Sequence, residues 1–389
     1  MSAVAERIED EPVEVEQEVT PLELFFDLVF VFAITQVTGF VSADATWTRL
    51  IEGLAILAVL WFAWEAYVWL ANSAASDEGA VRVVLLFAMG AMLILSLAVP
   101  RAFGGDGVIF GVAYFVVRAA HLGAYLIVAR GDPQLRGVVL RLATTVLPGA
   151  ALLVVAGALD GTAQALCWVG ALAIDYGGLM VRGVEGWRVA AKHFAERHGL
   201  IVIIALGESI VALGVGAGGL ELDAGLITAA LLGIAIASAM WWAYFDFVAL
   251  IAERRLRTAP PDEQVRIARD SFTYLHLPMV AGIVVFALGV KKTLAHVDHE
   301  LATVPAVALC GGAALYFLAL SAFKRRNIGS FNVPRLVAAS ALIVLAPIAT
   351  AIPALLAVAL VAAISVALVA YEFVAYAEAR DRIRHGQRP

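Results

Sequence analysis

The sequence predicts an all-α integral membrane protein with about twelve transmembrane helices. Of its 389 residues, 62% are hydrophobic and only 15% are charged, and the mean hydropathy is +0.89. Soluble domains contain roughly half apolar and a quarter charged residues, so this composition indicates a chain that lies largely in lipid. A spanning helix needs about 20 predominantly apolar residues, and many runs of this length are separated by short polar segments.

Hydropathy divides the apolar part of the chain into twelve predicted spans. They cover 21–41, 49–71, 80–99, 107–129, 138–159, 163–181, 199–218, 224–250, 272–290, 303–323, 335–352 and 354–376. Pro347 and Pro353 interrupt the last two spans, so this region is compatible with two short helices or a re-entrant segment.

The distribution of positive charge predicts the orientation of these spans. If both termini and the even-numbered loops share one side, that side holds 22 of the 27 Lys and Arg residues. The other side holds Arg49, Arg101, Lys291 and Lys292, and Arg118 lies inside a span. Lys and Arg favour cytoplasmic loops, so both termini are predicted to be cytoplasmic.

The two halves of the chain resemble each other at a shift of six spans. The segment Trp64-Glu65-Ala66-Tyr67 of span two resembles Trp241-Trp242-Ala243-Tyr244 of span eight, and a shift of 172 residues places Gln36 on Glu208. Because six is an even number, the two halves would share one orientation and form a parallel 6+6 repeat.

Five segments therefore make up the predicted organisation of the chain. They are a disordered acidic N-terminal tail at 1–19, a first six-helix half at 20–182, an amphipathic interfacial connector at 183–198, a second six-helix half at 199–376 and a basic cytoplasmic tail at 377–389. In the connector, Trp187, Phe194 and His198 share one helical face, which is the pattern of a helix lying at the membrane surface.

Ionisable side chains inside the predicted spans are the candidate functional residues. Such groups are costly in lipid and usually pair, face the bundle interior or line a pathway. The candidates for transport or ion binding are Asp27, Glu65, Arg118, His121, Asp175 and Glu208. Arg118 is the expected partner of Asp27, Asp175 or Glu208, either in a closed structural pair or at a solute site.

Two of the carboxylates have informative surroundings. Glu23 and Asp27 are four residues apart, so they lie on one face near the start of span one, where Glu23 is expected to cap the helix. Glu208 lies mid-membrane next to Gly207, and Gly207, Gly214 and Gly218 share a face that predicts close helix contact or a break.

The sequence gives no support for a metal site, a cofactor or a nucleic-acid partner. His193, Glu196 and His198 form the pattern H-x-x-E-x-H, which is not a zinc-protease spacing. Cys167 and Cys310 both lie in apolar runs and are read as buried small hydrophobes. No phosphate-binding Gly-rich loop, catalytic G-x-S-x-G or basic nucleic-acid domain is present.

Two segments carry a resemblance to a known family. "TPLELFFDLVFVFAITQVTG" at 20–39 and "HFAERHGLIVIIALGESIVALG" at 193–214 resemble the signature segments of the bacterial low-temperature-requirement A family. The positions that carry it are Glu23, Phe26, Asp27, Gln36, His193, Glu196, His198, Gly207, Glu208, Ser209, Trp241, Tyr244 and Asp246. Glu65 departs from the pattern, because a less polar residue is expected there.

The resemblance implies a multi-pass protein of the bacterial inner membrane that is linked to growth in the cold, with no defined chemistry. The surplus of intramembrane carboxylates favours a transporter or permease coupled to H⁺ or a monovalent cation and carrying a small solute. The alternatives are a non-transporting structural, lipid-binding or sensor protein, an ion channel, or an intramembrane lipid-modifying enzyme. The lipid bilayer is the one expected partner, and the sequence leaves the oligomeric state open.

Overall fold

The computed structural model describes residues 18–73, 79–181 and 186–378, and these residues form α-helices joined by short connections. The helices are α1 Pro21–Ala43, α2 Trp47–Ala71, α3 Gly79–Ala98, α4 Gly107–Val128, α5 Pro133–Ala156, α6 Gly161–Val181, α7 Ala191–Ala217, α8 Ala224–Phe245, α9 Val248–Thr258, α10 Pro261–Ile267, α11 Leu275–Ala295, α12 Thr303–Ile328, α13 Val333–Ile348 and α14 Ala354–Ala375. A π-helical stretch, Ala268–Tyr274, joins α10 to α11. The predicted tails fall mostly at 1–17 and 379–389, outside the described residues.

The helix starts follow local signals in the sequence. The hydroxyl of Thr20 accepts a hydrogen bond from the backbone N–H of Glu23, and Pro21 occupies the first helical position. Asp132 caps α5 in the same way, with Pro133 behind it, and Asp223 caps α8. Such side chains satisfy N–H groups that have no partner within the helix.

Eleven helical segments in the described part of the chain are long and apolar enough to cross a membrane. The twelfth predicted span is the short helix α13, whose 16 residues reach only about 24 Å in a hydrocarbon core of about 30 Å. Of the two short helices that Pro347 and Pro353 suggested, α13 is therefore short. In contrast, α14 has 22 residues and is long and apolar enough to span.

Helix α7 differs from the sequence expectation at its start. It begins at Ala191 and runs without a break to Ala217, so residues 191–198 are its first two turns and form no separate surface helix. Phe194 and His198 are completely buried, because this end of α7 packs inside the bundle and not on its surface. Span eight is also shorter than predicted, since α8 ends at Phe245 and α9 follows as a separate helix.

The close helix contact predicted at Gly207 and Gly214 of α7 is absent from the described structure. A Cβ atom built on Gly207 or Gly214 would meet no atom within 4 Å, and Gly218 caps the end of the helix. Close contact occurs between α11 and α12, where a Cβ on Gly289 would overlap the backbone of Leu309. Glycine permits two backbones to approach at this crossing.

The helices of the two halves have corresponding neighbours. Helix α1 packs against α2 and α3, as α7 packs against α8 and α11, and α2 contacts α4 and α6, as α8 contacts α12 and α14. The sequential pairs α3–α4, α4–α5 and α5–α6 correspond to α11–α12, α12–α13 and α13–α14. Helices α1 and α7 pack against each other at the junction of the halves.

Candidate functional site

A cluster of charged residues joins the first turns of α1 to the first turns of α7. Arg197 donates from Nη1 to Glu23 Oε2 at 2.9 Å and from Nη2 to Asp27 Oδ1 at 2.6 Å. His193 Nε2 lies 2.7 Å from the same oxygen of Glu23, and Trp64 Nε1 donates to Asp27 at 2.8 Å. We call these five residues the α1–α7 cluster; all of their side chains are buried.

The α1–α7 cluster corrects the expected partner of Asp27. The sequence offered Arg118 for this role, whereas the structure uses Arg197, 170 residues away in sequence. Arg197 was counted among the cytoplasmic loop charges because residues 183–198 were predicted to lie at the membrane surface. Arg197 lies four residues after His193, as Asp27 lies four residues after Glu23, so each pair occupies one face of its helix. This matching spacing is the one sequence signal that the two helix faces meet here.

A second buried cluster contains Glu65, His198 and Thr273. His198 Nε2 lies 2.7 Å from Glu65 Oε1, and Thr273 donates from its hydroxyl to Glu65 Oε2 at 3.2 Å. His198 Nδ1 lies 2.8 Å from the backbone carbonyl of Phe194. The side chain of Glu65 is therefore bound on both oxygens by groups from α7 and from the stretch before α11.

Arg118 lies near the middle of α4 and is held by α2 and α6. Its Nη1 donates to the backbone carbonyl of Phe62 at 2.7 Å, and its Nη2 lies 3.9 Å from Asp175 Oδ1. Tyr114 donates to the other oxygen of Asp175 at 2.5 Å. The Arg118–Asp175 contact is long for a salt bridge, so this pair is looser than the α1–α7 cluster.

Four of the six predicted candidates line one cavity, which we call the Arg118 cavity. Glu65, Arg118, His121 and Asp175 face it from α2, α4 and α6, and Arg269 lies at its edge. The cavity offers about 60 Å³ to the centres of water molecules. One water needs about 10–15 Å³ by this measure, so the cavity has room for several waters or a small solute.

Three residues that line the Arg118 cavity have polar atoms without a hydrogen bond. Within the residues that the structure describes, Arg118 Nε, Asp175 Oδ1 and both ring nitrogens of His121 are buried and make no hydrogen bond. Buried polar atoms are nearly always satisfied by protein or by water. The Arg118 cavity is therefore lined by residues whose hydrogen-bonding capacity the described protein atoms do not fill.

Glu208 lies apart from the Arg118 cavity. It accepts a hydrogen bond from Thr35 of α1 at 2.6 Å, and it is buried in the α1–α7 contact. Gln36, its counterpart at a shift of 172 residues, is half-buried on α1. Asp27, Arg118 and Glu208 consequently occupy three different places and do not meet at a common site.

The second half contains a closed ion pair at the corresponding helices. Arg335 of α13 binds both carboxylate oxygens of Glu372, at 2.8 and 2.7 Å, and also donates to the backbone carbonyl of Ala243. Asn332 donates to the same carboxylate at 2.6 Å. Helices α8, α12, α13 and α14 surround this pair, as α2, α4, α5 and α6 surround the Arg118 cavity.

The remaining family-motif residues have structural surroundings. Phe26 packs against Tyr67 with ring centroids 4.9 Å apart, and Ser209 donates to the carbonyl of Leu206. Tyr244 is buried and its hydroxyl lies 2.8 Å from His276 Nε2. Trp241 is exposed on the outer face of α8.

Asp246 ends α8, with its backbone N–H bound to the carbonyl of Trp242. Glu196 is exposed, while His193 and His198 are buried and contact different carboxylates. The pattern H-x-x-E-x-H therefore does not converge on one point. No group of metal-ligating side chains with suitable geometry occurs among residues 18–73, 79–181 and 186–378.

The fold and these buried clusters define a polytopic α-helical membrane protein with ionisable groups inside its bundle. The chain belongs to the bacterial low temperature requirement A (LtrA) family, whose model matches residues 18–370. It is 32% identical over 316 residues to an uncharacterized protein of Rhizobium meliloti (strain 1021), which covers 78% of this chain and 76% of the relative. No solved structure matches the chain.

Proposed function

We propose that the protein is a membrane transporter coupled to H⁺ or a cation, with its solute site in the Arg118 cavity. The observation that carries the proposal is the meeting of Glu65, Arg118, His121 and Asp175 around a cavity that retains unpaired polar atoms. Ligand sites in helical bundles combine a mostly apolar lining with a few polar groups. Ionisable groups at membrane depth commonly mark substrate or ion pathways.

The corresponding neighbours of the two halves support a parallel 6+6 repeat. Transporters of this kind bind their solute near the middle of the membrane and alternate access by movement of one half against the other. In this chain the Arg335–Glu372 pair lies at the corresponding place in the second half, beside a cavity of about 40 Å³ that is smaller than the Arg118 cavity. We propose that the second half serves as the rigid partner and that the first half carries the solute.

The positive-charge distribution supports insertion in the bacterial inner membrane with both termini in the cytoplasm. Under this orientation the Arg118 cavity extends from mid-membrane toward the cytoplasmic side, where Trp187 and Arg269 line it. Under this proposal, the solute enters the Arg118 cavity from the cytoplasm.

A second candidate function rests on the closed pairs. The α1–α7 cluster and the Arg335–Glu372 pair join opposite charges within the protein, as expected of a structural, lipid-binding or sensor protein with no transport. A lipid-modifying enzyme is less well supported, because His193 and His198 serve separate clusters. A channel would need a continuous pore, whereas the lining of the Arg118 cavity comes from the middle and the predicted cytoplasmic half of the bundle.

Flux through purified protein in proteoliposomes tests the first proposal. A pH-sensitive dye inside the vesicles reports proton movement when small organic acids, amines and neutral solutes are added outside. We expect one of these classes to drive a pH change, and Arg118→Gln or Asp175→Asn to reduce its initial rate by about tenfold or more.

Arg141→Gln is the matched control, because Arg141 is exposed on α5 and does not line the cavity. Its flux should equal that of the wild type. An absence of solute-driven flux in the wild type, or equal rates for the wild type and both cavity variants, would leave the non-transporting function as the better account.

A further inference from the structure

The surroundings of His198 show that the Glu65–His198 pair holds a proton. Nδ1 of His198 lies 2.8 Å from the carbonyl of Phe194, and Nε2 lies 2.7 Å from Glu65 Oε1. A carbonyl can only accept, so Nδ1 carries a hydrogen. Either Nε2 also carries one, which makes the ring an imidazolium, or Glu65 is a neutral acid that donates to Nε2.

Thr273 fixes the position of this proton within the pair. Trp69 Nε1 donates to the hydroxyl oxygen of Thr273 at 3.1 Å, which leaves the hydroxyl hydrogen for Glu65 Oε2 at 3.2 Å. Glu65 Oε2 is thus an acceptor, and the shared proton lies between Glu65 Oε1 and His198 Nε2. The pair contains this one proton whether it is an imidazolium beside a carboxylate or a neutral imidazole beside a carboxylic acid.

The neighbouring His276 shows the contrasting arrangement. Its ring lies 5.0 Å from that of His198, its Nδ1 faces the carbonyl of Ser271 and its Nε2 faces the hydroxyl of Tyr244. A hydroxyl can donate, so neutral His276 is fully satisfied. The extra proton is therefore a property of the Glu65–His198 pair and not of buried histidines in this bundle.

The lining of the Arg118 cavity selects the chemical class of its ligand. Arg118 is a permanent cation with Nε unpaired within the described residues, and most of the remaining lining is apolar or aromatic. A molecule with one anionic group and a small apolar body fits both parts. A carboxylate bound at Arg118 would also lie in the cavity that Glu65 lines, so a proton at Glu65–His198 removes the repulsion that Glu65 would exert.

We propose that the Arg118 cavity binds a small apolar carboxylate together with one proton, which the Glu65–His198 pair holds. The biological role of this binding rests on the proposed transport function, whereas the binding experiment below does not require transport. The proton comes from the cytoplasmic water, and the cavity gains one anion and one proton with no net charge. Release of the carboxylate then permits release of the proton.

Other charged or titratable groups lie around the pair. Arg118 and Asp175 face the same cavity from α4 and α6, Arg269 approaches from the stretch before α11, and His121 lies one turn along α4 from Arg118. Tyr176 of α6 and His276 of α11 complete these groups. Glu65→Gln retains all of these groups, so a loss of proton linkage in that variant reports on Glu65 itself.

Butyrate binding to the full-length protein in detergent tests the inference without transport. Isothermal titration from mildly acidic to mildly alkaline pH, in buffers of different ionisation enthalpy, gives both affinity and proton uptake. Above the pH at which the free pair loses its proton, we expect uptake of one proton per butyrate and an affinity that falls tenfold per pH unit. Butyramide, which lacks the charge, should bind at least about tenfold more weakly.

Glu65→Gln should abolish the proton uptake and the pH dependence, because an amide can donate to His198 without an extra proton. His276→Gln is the matched control and should retain both. Butyrate binding with no proton linkage in the wild type, linkage that persists in Glu65→Gln, or no preference for butyrate over butyramide would each overturn the inference. Butyrate binding with linked protons but no flux would refute the transport function alone.

Discussion

Arg197 Nη2 lies 2.6 Å from Asp27 Oδ1, and the two side chains are 1% and 2% exposed. The same guanidinium binds Glu23, so one cation on α7 holds two carboxylates on α1. Since isolated charges are strongly disfavoured away from water, this contact ties the first turns of the two helices together. The diagnostic segment of α1 thus has a structural role in joining the halves.

The first prediction concerns the stability that Arg197 provides. Replacement Arg197→Met removes the cation that binds buried Asp27 and one partner of Glu23, and breaking a buried pair in this way costs about 3–5 kcal/mol. We expect a large fall in the thermal unfolding midpoint of the detergent-solubilised protein.

Arg49→Met is the control for Arg197→Met, because Arg49 pairs with Glu52 at 3.5 Å with its side chain 40% exposed. Exposed pairs contribute about 0–1 kcal/mol, so this variant should unfold close to the wild type. Equal midpoints for the two variants would contradict the assigned role of Arg197.

The second prediction separates two glycines that look alike in the sequence. A Cβ on Gly289 would overlap the backbone of Leu309 where α11 crosses α12, so Gly289→Ala should destabilise the protein by about 1–3 kcal/mol. At Gly207 nothing lies within 4 Å of such an atom, and Ala is favoured over Gly in a helix by up to about 1 kcal/mol. Gly207→Ala should therefore be neutral or stabilising in the same unfolding measurement, and a reversed order would be incompatible with this helix crossing.

The third prediction concerns the orientation in the membrane. Gln134 and Asp160 are exposed at opposite ends of α5. In a background with Cys167→Ala and Cys310→Ala, we expect a membrane-impermeant maleimide to label Asp160→Cys in intact spheroplasts. Gln134→Cys should be labelled in inverted vesicles only. The opposite pattern would place the termini outside the cytoplasm.

Much of the architecture follows from local sequence properties. Hydropathy locates the spans because each must bury about 20 residues in lipid regardless of its neighbours, and capping residues such as Thr20 and Asp132 locate helix starts. The sequence also singled out Glu65, Arg118, His121 and Asp175 as a group of buried polar residues, since an ionisable side chain in an apolar run is conspicuous.

The membrane class, the approximate spans and the set of buried ionisable residues can thus be read from the amino-acid sequence. How these residues pair depends on the packing of the helices: Asp27 binds Arg197, Glu65 contacts His198, and Arg118 lies loosely beside Asp175. The physical reason is that hydropathy is a property of a short stretch of chain, whereas a salt bridge depends on which helices pack together. Arg197 was missed because two extra turns of α7 carry it from the predicted surface into the bundle.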